Sequence, residues 1–221
     1  VPSTDVANRM IRKLQTPSEK IEVIPWGVDF KRFNTKVTET EIVLPEKYFL
    51  FVGNLEPKKN LLFLLKAYAE FSENNNDYPL VIVGRAAWKC KALVKTIKTW
   101  CYAGKVIWLG RLSDDDLTAV YQRATAFIMP SLAEGFGLPV LEAMAAGIPV
   151  LHSNQEALSE AAGDAGLKFT LDNSTELKDK MELITENKQL RTELIETGIK
   201  RAQEFSWEKS GKHYAELINS M

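Results

Sequence analysis

The chain has 221 residues, of which 45% are hydrophobic, and its formal net charge at pH 7 is -1. This length can bury a substantial core as one large or two small domains, and the hydrophobic content is that of a globular protein. A charge so close to zero provides no general attraction to nucleic acid or to an anionic membrane, so we expect no nucleic-acid partner. Any phosphate of a ligand would therefore have to be bound by basic side chains clustered at one site.

Apolar runs typical of strands alternate with amphipathic helical patterns along the chain. In chain order they are KYFLFVG with a helix over 60–71, PLVIVG with 88–102, KVIWLG with SDDDLTAVYQRA, TAFIMP with LPVLEAMAAG, GIPVLHS with a short helix, and GLKFT with ELKDKMELI. Ser113 marks the clearest helix start, because acidic residues fill the first turn after it. The alternation predicts an α/β fold, a Rossmann-like parallel sheet with helices on both faces.

The most informative segment is PSLAEGFGLPVLEAMAAGIPVL, from Pro130 to Leu151. Its residues Glu134 to Leu138 are predicted to form a strand-to-helix loop, because Pro139 suits a first helical turn and Gly147 a helix end. In a parallel sheet such loops lie at the carboxyl ends of the strands, where ligands bind. The free N–H groups of the following helix favour an anion there.

Two glycines and two carboxylates surround this turn. Gly135 and Gly137 leave room for a phosphate to approach the backbone, whereas Glu134 and Glu142 would repel a phosphate and accept hydrogen bonds from sugar hydroxyls. The arrangement fits a diphosphate flanked by two polyols. Glycine spacing alone would favour an ordinary turn, because Val140 breaks the G-x-G-x-x-G pattern of dinucleotide sites.

A second candidate loop, GNLEPKKN, follows the KYFLFVG strand. Its backbone from Gly53 and Asn54 onward and the ammonium groups of Lys58 and Lys59 could meet a diphosphate. A lysine pair is more commonly a solvated surface feature. Its position after a parallel strand, beside the glutamate segment, favours binding.

Cysteine and histidine residues indicate no metal or redox centre. Cys90 and Cys101 belong to no C-x-x-C or Cys/His cluster, and we interpret them as reduced packing residues on one helix. His152 and His213 lie in no motif and are predicted to be structural. The tryptophans are scattered and are predicted to pack in the fold rather than to form a stacking platform.

The complete glutamate segment resembles the Glu-x7-Glu signature of retaining GT-B glycosyltransferases of family four, which use nucleotide-sugars. The similarity covers nearly the whole chain. IPWGVDFKRF resembles the family's hinge, with Trp26 in place of the usual asparagine, and KYFLFVGNLEPKKN resembles its first strand and phosphate loop. GRLSDDDLTAVYQRATAFIMPS and SNQEALSEAAGDAG resemble the segments before and after the glutamates.

The resemblance implies roles for individual residues. Glu134 is expected to contact the donor sugar and Glu142 the ribose. Lys59 matches the lysine of the family's phosphate loop, whereas Asn54 stands where an arginine is common. Lys58 could compensate for that arginine as a point charge rather than as a bidentate fork.

Two further loops, VIVGRAAW and GRLSDDD, border the nucleotide base in the resembled family, which makes Arg85 and the backbone near Leu112 candidates. For Arg111 and the aspartates after it, helix capping is the preferred explanation. The predicted catalytic residues are Glu134 and Lys59. The predicted donor-binding residues are Gly53, Asn54, Lys58, Lys59, Arg85, Leu112, Glu134, Gly135, Phe136, Gly137, Leu138 and Glu142.

The motifs are those of the second half of a GT-B enzyme. VPSTDVANRMIRKL resembles the end of the first half, which implies that residues 1–25 are the tail of a missing N-terminal domain with the hinge. Residues 26–205 would then form the donor-binding domain and 206–221 the crossing helix. The last segment carries an apolar stripe, formed by Trp207, Tyr214, Leu217 and Ile218. The stripe should cover the first helix (Val6, Met10, Leu14), pack on the domain itself or pair between chains.

The predicted function is transfer of a hexose, with retention, from a nucleoside diphosphate sugar to a glycan or lipid-linked acceptor, as in polysaccharide biosynthesis. Similarity of EPKKN and EGFGLPVLEAM to mannosyltransferase-like members favours GDP-mannose, and UDP-glucose remains open. No metal is required, because lysines and helix N-termini would stabilise the leaving diphosphate. The missing half would bind the acceptor, so the chain alone is expected to be inactive.

No apolar run approaches the roughly 18 residues of a membrane span, and no signal-peptide pattern is present. We therefore expect a cytoplasmic protein, with any peripheral attachment to the inner face of the membrane made by the missing half. Two alternatives are a catalytically idle sugar-nucleotide binding module and half of a non-hydrolysing sugar-nucleotide epimerase. The intact glutamate pair argues against the first, and the family resemblance argues against the second.

Overall fold

Six parallel strands form one sheet in the computed structural model, which describes residues 1–37 and 40–220. The strands are β1 (Phe49–Val52), β2 (Leu80–Val83), β3 (Val106–Gly110), β4 (Ala126–Met129), β5 (Val150–Ser153) and β6 (Leu167–Phe169). Their order is β3-β2-β1-β4-β5-β6, and every neighbouring pair is parallel. The order reverses between β1 and β4, and such a switch point creates a crevice at the carboxyl ends of the strands.

Helices surround this sheet, which confirms the predicted fold class. They are α1 (Thr4–Leu14), α2 (Phe30–Asn34), α3 (Leu61–Phe71), α4 (Lys91–Tyr102), α5 (Asp114–Gln122), α6 (Leu138–Ala145), α7 (Glu156–Ala162), α8 (Ser174–Glu186), α9 (Lys188–Gln203) and α10 (Trp207–Ser220). Short 3-10 turns occupy Ser18–Lys20 and Pro57–Lys59. Across the described residues, none of the helices combines the length and the hydropathy that crossing a bilayer requires.

The strands form the core because their side chains are apolar on both faces, as expected for a parallel sheet covered by helices. Every residue of β2, β4 and β5 is buried. Helix α3 packs on α8 and α6 packs on α9, which covers the sheet with two helix pairs. Burial on both faces explains why the strand sequences read as continuous apolar runs.

One predicted helix start was wrong by three positions. The helix predicted from Trp88 begins at Lys91, because Lys89 has a positive φ of 51° and Cys90 is the residue that caps the helix. Cys90 therefore precedes the helix instead of lying on it with Cys101. Both thiols are free, and the Cys90 thiol donates a hydrogen bond of 2.9 Å to the carbonyl of Ala87.

Helix α10 is held by residues 22–27. The Ser210 hydroxyl donates to the carbonyl of Pro25 at 2.6 Å, and a Cβ on Gly27 would lie 2.0 Å from the backbone nitrogen of Trp207. His213 Nε2 lies 3.0 Å from Glu22 Oε1. None of these contacts is made by a side chain of the apolar stripe, so which of its three expected arrangements holds stays a prediction. The stripe is only partly covered, since Trp207 is 52% exposed.

The loops after β1 and β2 approach each other more closely than side chains would allow. A Cβ on Gly84 would lie 2.0 Å from the carbonyl oxygen of Gly53, and Gly84 has a φ of +140°. Leu55 N donates to the carbonyl of Arg85 at 2.8 Å, so the segments after β1 and β2 stay hydrogen-bonded to each other beyond the ends of the strands. Glycine at position 84 is therefore required for the arrangement of these two loops.

Gly84→Ala should lower the free energy of unfolding by about 3 kcal/mol or more, because its Cβ has no space and its φ is strained. The matched control is Gly104→Ala, where φ is +71° and no atom lies within 4 Å of the added Cβ. The control should cost only about 1 kcal/mol, the left-handed backbone term. Urea unfolding measures both, and equal losses would contradict the steric argument.

Candidate functional site

A cleft of about 540 Å³ opens at the carboxyl ends of β1, β2 and β3. Six of the predicted donor-binding residues line it: Gly53, Asn54, Lys58, Lys59, Arg85 and Leu112. The loops that carry them follow three neighbouring strands, so the parallel sheet brings them together. The cleft lies on one side of the switch point between β1 and β4.

The cleft is lined by four cationic side chains, those of Lys58, Lys59, Arg85 and Arg111. The aspartates after Arg111 fill the first turn of α5, as the capping explanation expects, and the Ser113 side chain caps that helix by accepting a hydrogen bond of 3.2 Å from Asp116 N. Arg111 takes no part in this cap. Arg111 is left to face the cleft. Four cations around one concave surface favour an anionic ligand.

Acidic groups also line the cleft, and sequence reasoning missed them. Glu56 Oε1 lies 3.4 Å from Lys58 Nζ, and its other oxygen accepts a hydrogen bond of 3.3 Å from the indole of Trp88. Trp88 is 58% exposed, so the prediction that the tryptophans pack inside was wrong for this residue. Asp114, at the start of α5, is a further carboxylate of the lining.

Lys59 and Glu134, the two predicted catalytic residues, are ion-paired with each other. Lys59 Nζ donates to Glu134 Oε1 at 2.7 Å, and the two side chains are 11% and 10% exposed. A second bond, of 2.7 Å, runs from Leu132 N to the carbonyl of Lys58. The pair therefore ties the loop after β1 to the loop after β4 across the switch point, in a position largely shielded from water.

The loop from Glu134 to Leu138 is held from outside by the first residues of the chain. Arg9 Nη2 donates to the carbonyl of Glu134 at 2.6 Å, and the Ser3 hydroxyl donates to the carbonyl of Gly135 at 2.6 Å. With both carbonyls bound on that side, the orientation of the loop backbone is constrained. Nothing in the local pattern of the loop itself indicated these contacts.

The same loop turns into α6 at Gly137, whose φ is +111°. This φ requires glycine, whereas the 2.9 Å from an added Cβ to Leu158 Cδ2 could be relieved by a shift of that methyl group. The ring of Phe136 is buried in edge contacts with Trp26 and Phe205.

Val140 N makes the first hydrogen bond of α6, to the carbonyl of Gly137. The N–H groups before it are those that a helix N-terminus offers to an anion.

Glu142 lies one turn into α6 and is partly buried. The hydroxyl of Tyr121 donates to Glu142 Oε2 at 2.9 Å. Burial raises the pKa of Glu142 above its ordinary value, the Tyr121 hydrogen bond and the charge of Arg32 lower it, and the charge of Asp114 raises it. Ionisation of Glu142 in the folded protein therefore costs more free energy than ionisation of a glutamate in water.

The structure separates the predicted residues into two neighbouring groups. The cleft lining, over the described residues, includes neither Glu142 nor the loop from Glu134 to Leu138. Lys59 joins the two groups through Glu134. Asp114 and Leu117 line the cleft from α5, and Tyr121, on the same face of that helix, reaches Glu142.

His152 lies in the core, on β5. Its ring is buried and Nδ1 lies 2.9 Å from the carbonyl of Ser153, and burial lowers its pKa. In the part of the chain that the structure describes, no group of three or more His, Cys, Asp or Glu side chains is arranged to hold a metal ion.

Known proteins share sequence similarity with most of this chain. The sequence model of the family Glycosyl transferases group 1 matches residues 33–201. The O-antigen chain mannosyltransferase B of Escherichia coli is 36% identical over 162 residues, which is 73% of this chain and 42% of that protein. A serotype-specific mannosyltransferase WbdA of the same organism is 29% identical over 92% of this chain and 25% of its own length. The chain thus spans less than half the length of these relatives.

Solved structures share the fold. The Anabaena protein Alr3699/HepE, crystallised with UDP and glucose, superposes over 100% of this chain and 62% of its own with a TM-score of 0.86 at 20% identity. The family match covers most of the chain, and both relatives are named as mannosyltransferases. The chain therefore belongs to the group 1 glycosyl transferases and has the Rossmann-like fold of a GT-B glycosyltransferase domain.

Proposed function

We propose that this chain is the donor-binding part of a retaining glycosyltransferase that moves a hexose from a nucleoside diphosphate sugar. The observation that carries the proposal is the cationic cleft at the ends of β1, β2 and β3, linked through Lys59 and Glu134 to the N-terminus of α6. Within the chain, residues 26–205 would bind the donor, residues 1–25 would lead in from the first half, and 206–221 would form the crossing helix.

The diphosphate would lie between the phosphate loop and the start of α6. Lys58, Lys59 and Arg111 provide positive charge on one side, and the free N–H groups from Phe136 to Leu138 provide donors on the other. As the glycosidic bond breaks, negative charge grows on the leaving diphosphate. Fixed cations and a helix N-terminus would stabilise that charge without a metal ion.

The two glutamates would hold the sugars at each end of the diphosphate. Glu134 is oriented by Lys59 through one oxygen, so its other oxygen could accept a bond from a hydroxyl of the donor hexose. Glu142 would accept from the ribose. Arg85 and the backbone near Leu112, at the far end of the cleft, would border the base.

Mannose is the hexose we propose, with GDP-mannose as donor. The support is that both Escherichia coli relatives are named as mannosyltransferases. The acceptor would be a glycan or a lipid-linked glycan, bound by a part of the enzyme that lies outside these 221 residues. That part of the enzyme would hold the acceptor close to the donor, and without it the reaction would lose the contribution of proximity to its rate.

Arg111→Ala and Lys59→Ala should each weaken binding of GDP far more than binding of guanosine. The loss expected for one charge-assisted hydrogen bond is about 1.5 to 3 kcal/mol, and added salt should reduce it. Lys66→Ala, an exposed lysine of α3, is the control. Calorimetry measures the affinities. Equal losses for the nucleoside and the diphosphate would remove these residues from the phosphate site, and a wild-type chain that binds neither GDP nor UDP would refute the proposal.

Glu134→Gln should abolish the extra affinity of GDP-mannose over GDP, because a neutral amide is a weaker acceptor for a sugar hydroxyl. Affinity for GDP itself should be retained, since Lys59 keeps its charge. The matched control is Glu156→Gln, an exposed glutamate on α7. Competition binding with both ligands provides the measurement. A variant that still prefers GDP-mannose as strongly as the wild type does would show that Glu134 does not contact the sugar.

Glu142→Gln should stabilise the ligand-free fold at neutral pH. Because the folded-state pKa of Glu142 is raised, its contribution favours folding at low pH and is lost as the pH rises through that pKa. The gain in melting temperature should thus be larger at about pH 8 than at about pH 4. Thermal unfolding at both values tests this, with exposed Glu73→Gln as control. A pH-independent difference would contradict the sign of the shift.

A further inference from the structure

Tyr121 is the direct partner of Glu142, and it is completely buried. Its hydroxyl donates to Glu142 Oε2 at 2.9 Å, and burial raises the pKa of the phenol well above its ordinary value, so it stays a donor at neutral pH. Its ring packs edge-on against Phe33, at 5.5 Å between centroids, and in a tilted arrangement against Phe127 at 5.7 Å. The donor hydroxyl therefore has little freedom to move.

Arg32 of α2 brings a positive charge to the same place. Its Nη2 donates to the carbonyl of Asp114 at 2.7 Å and its Nε donates to Thr118 Oγ1 at 3.2 Å. Its Nη1 also lies 3.3 Å from Asp114 Oδ2, so the backbone and the carboxylate of Asp114 and the hydroxyl of Thr118 hold the guanidinium. The charge of Arg32 lowers the pKa of Glu142 and opposes the effects of burial and of Asp114. Arg32 also lies over the ring of Phe33, 4.9 Å from its centroid.

Only one oxygen of the Glu142 carboxylate is engaged. Among the described residues, the hydrogen bond to this carboxylate comes from Tyr121 and ends on Oε2. A carboxylate can accept at both oxygens, so Oε1 is the acceptor left for a ligand. With Oε2 bound to a fixed phenol, the plane and the direction of Oε1 are set before a ligand arrives, which reduces the ordering cost of binding.

We propose that Tyr121 and Arg32 are positioning residues that make Glu142 a preformed, charged acceptor for the hydroxyls of a ribose. This inference rests on the proposed function. It assigns the selection of ribonucleotides over their deoxy forms to three residues from different elements, Arg32 of α2, Tyr121 of α5 and Glu142 of α6. Tyr121 orients the carboxylate through its hydrogen bond, and the charge of Arg32 offsets part of the effect of burial on the pKa of Glu142.

The test is Tyr121→Phe, with Tyr48→Phe as the matched control. Tyr48 is also fully buried, and its hydroxyl donates to the carbonyl of Val120 at 2.7 Å, next to Tyr121 on α5. Each variant removes one buried hydroxyl, and only one of them touches Glu142. A carboxyl-carbon NMR titration of the ligand-free protein should show a higher pKa for Glu142 in Tyr121→Phe and an unchanged pKa in Tyr48→Phe.

Binding provides the second measurement. Tyr121→Phe should weaken GDP about tenfold or more and leave the affinity for 2',3'-dideoxy-GDP unchanged, because the dideoxy ligand has no hydroxyl for Glu142. Tyr48→Phe should retain the wild-type preference for GDP. Equal losses for the two nucleotides, or an unchanged pKa of Glu142 in Tyr121→Phe, would overturn the positioning role.

Two charge variants keep the test decisive if Tyr121→Phe does not fold. Arg32→Gln should raise the pKa of Glu142 and Asp114→Asn should lower it, since their charges act in opposite directions. The preference for GDP over 2',3'-dideoxy-GDP should also fall in Arg32→Gln, which a structural role alone would not produce. If the wild type binds no nucleotide, the proposed function and the ribose assignment fail together, whereas the titrations still decide whether Tyr121 and Arg32 control Glu142.

Discussion

The ion pair between Lys59 and Glu134 connects the two halves of the sheet at the place where a ligand would bind. The 2.7 Å bond joins the loop after β1 to the loop after β4, and both side chains are about one-tenth exposed. A buried pair contributes little net stability over an apolar contact, but loss of one partner leaves an unpaired charge and is costly. The pair therefore constrains geometry more than it strengthens the fold, and both predicted catalytic groups depend on it.

The first 37 residues brace the site from outside. Arg9 and Ser3 bind the carbonyls of the glutamate loop, Arg32 binds α5, and Phe33 packs on Tyr121. These contacts link residues that are 82 to 132 positions apart in the sequence. The segment thus contacts the backbone at Glu134 directly and reaches Glu142 through Tyr121. The packing of these residues therefore affects the position of both glutamates.

Buried charge is the feature that separates this site from the rest of the core. Glu142 and Lys59 are largely enclosed, yet each has a specific partner, and the pKa of Glu142 is raised by the burial that its partners only partly offset. Buried charged groups lower the free energy of unfolding and are typical of functional sites. The two glutamates use different partners, a lysine for Glu134 and a phenol with a nearby arginine for Glu142, so their environments are distinct.

The sequence by itself determined the parallel α/β fold, the carboxyl-edge loops and the pair of glutamates, because alternating strand and helix patterns and the glycine-containing turn are local signals. It also identified Lys59. It did not identify Arg111, Arg32 or Tyr121, and it misplaced the start of α4 because the turn at Lys89 has no strong local signal. The tertiary structure alone decided that Lys59 pairs with Glu134 and that Tyr121 holds Glu142. Those partners come from separate elements, and only the packing of the helices around the sheet sets which side chains meet.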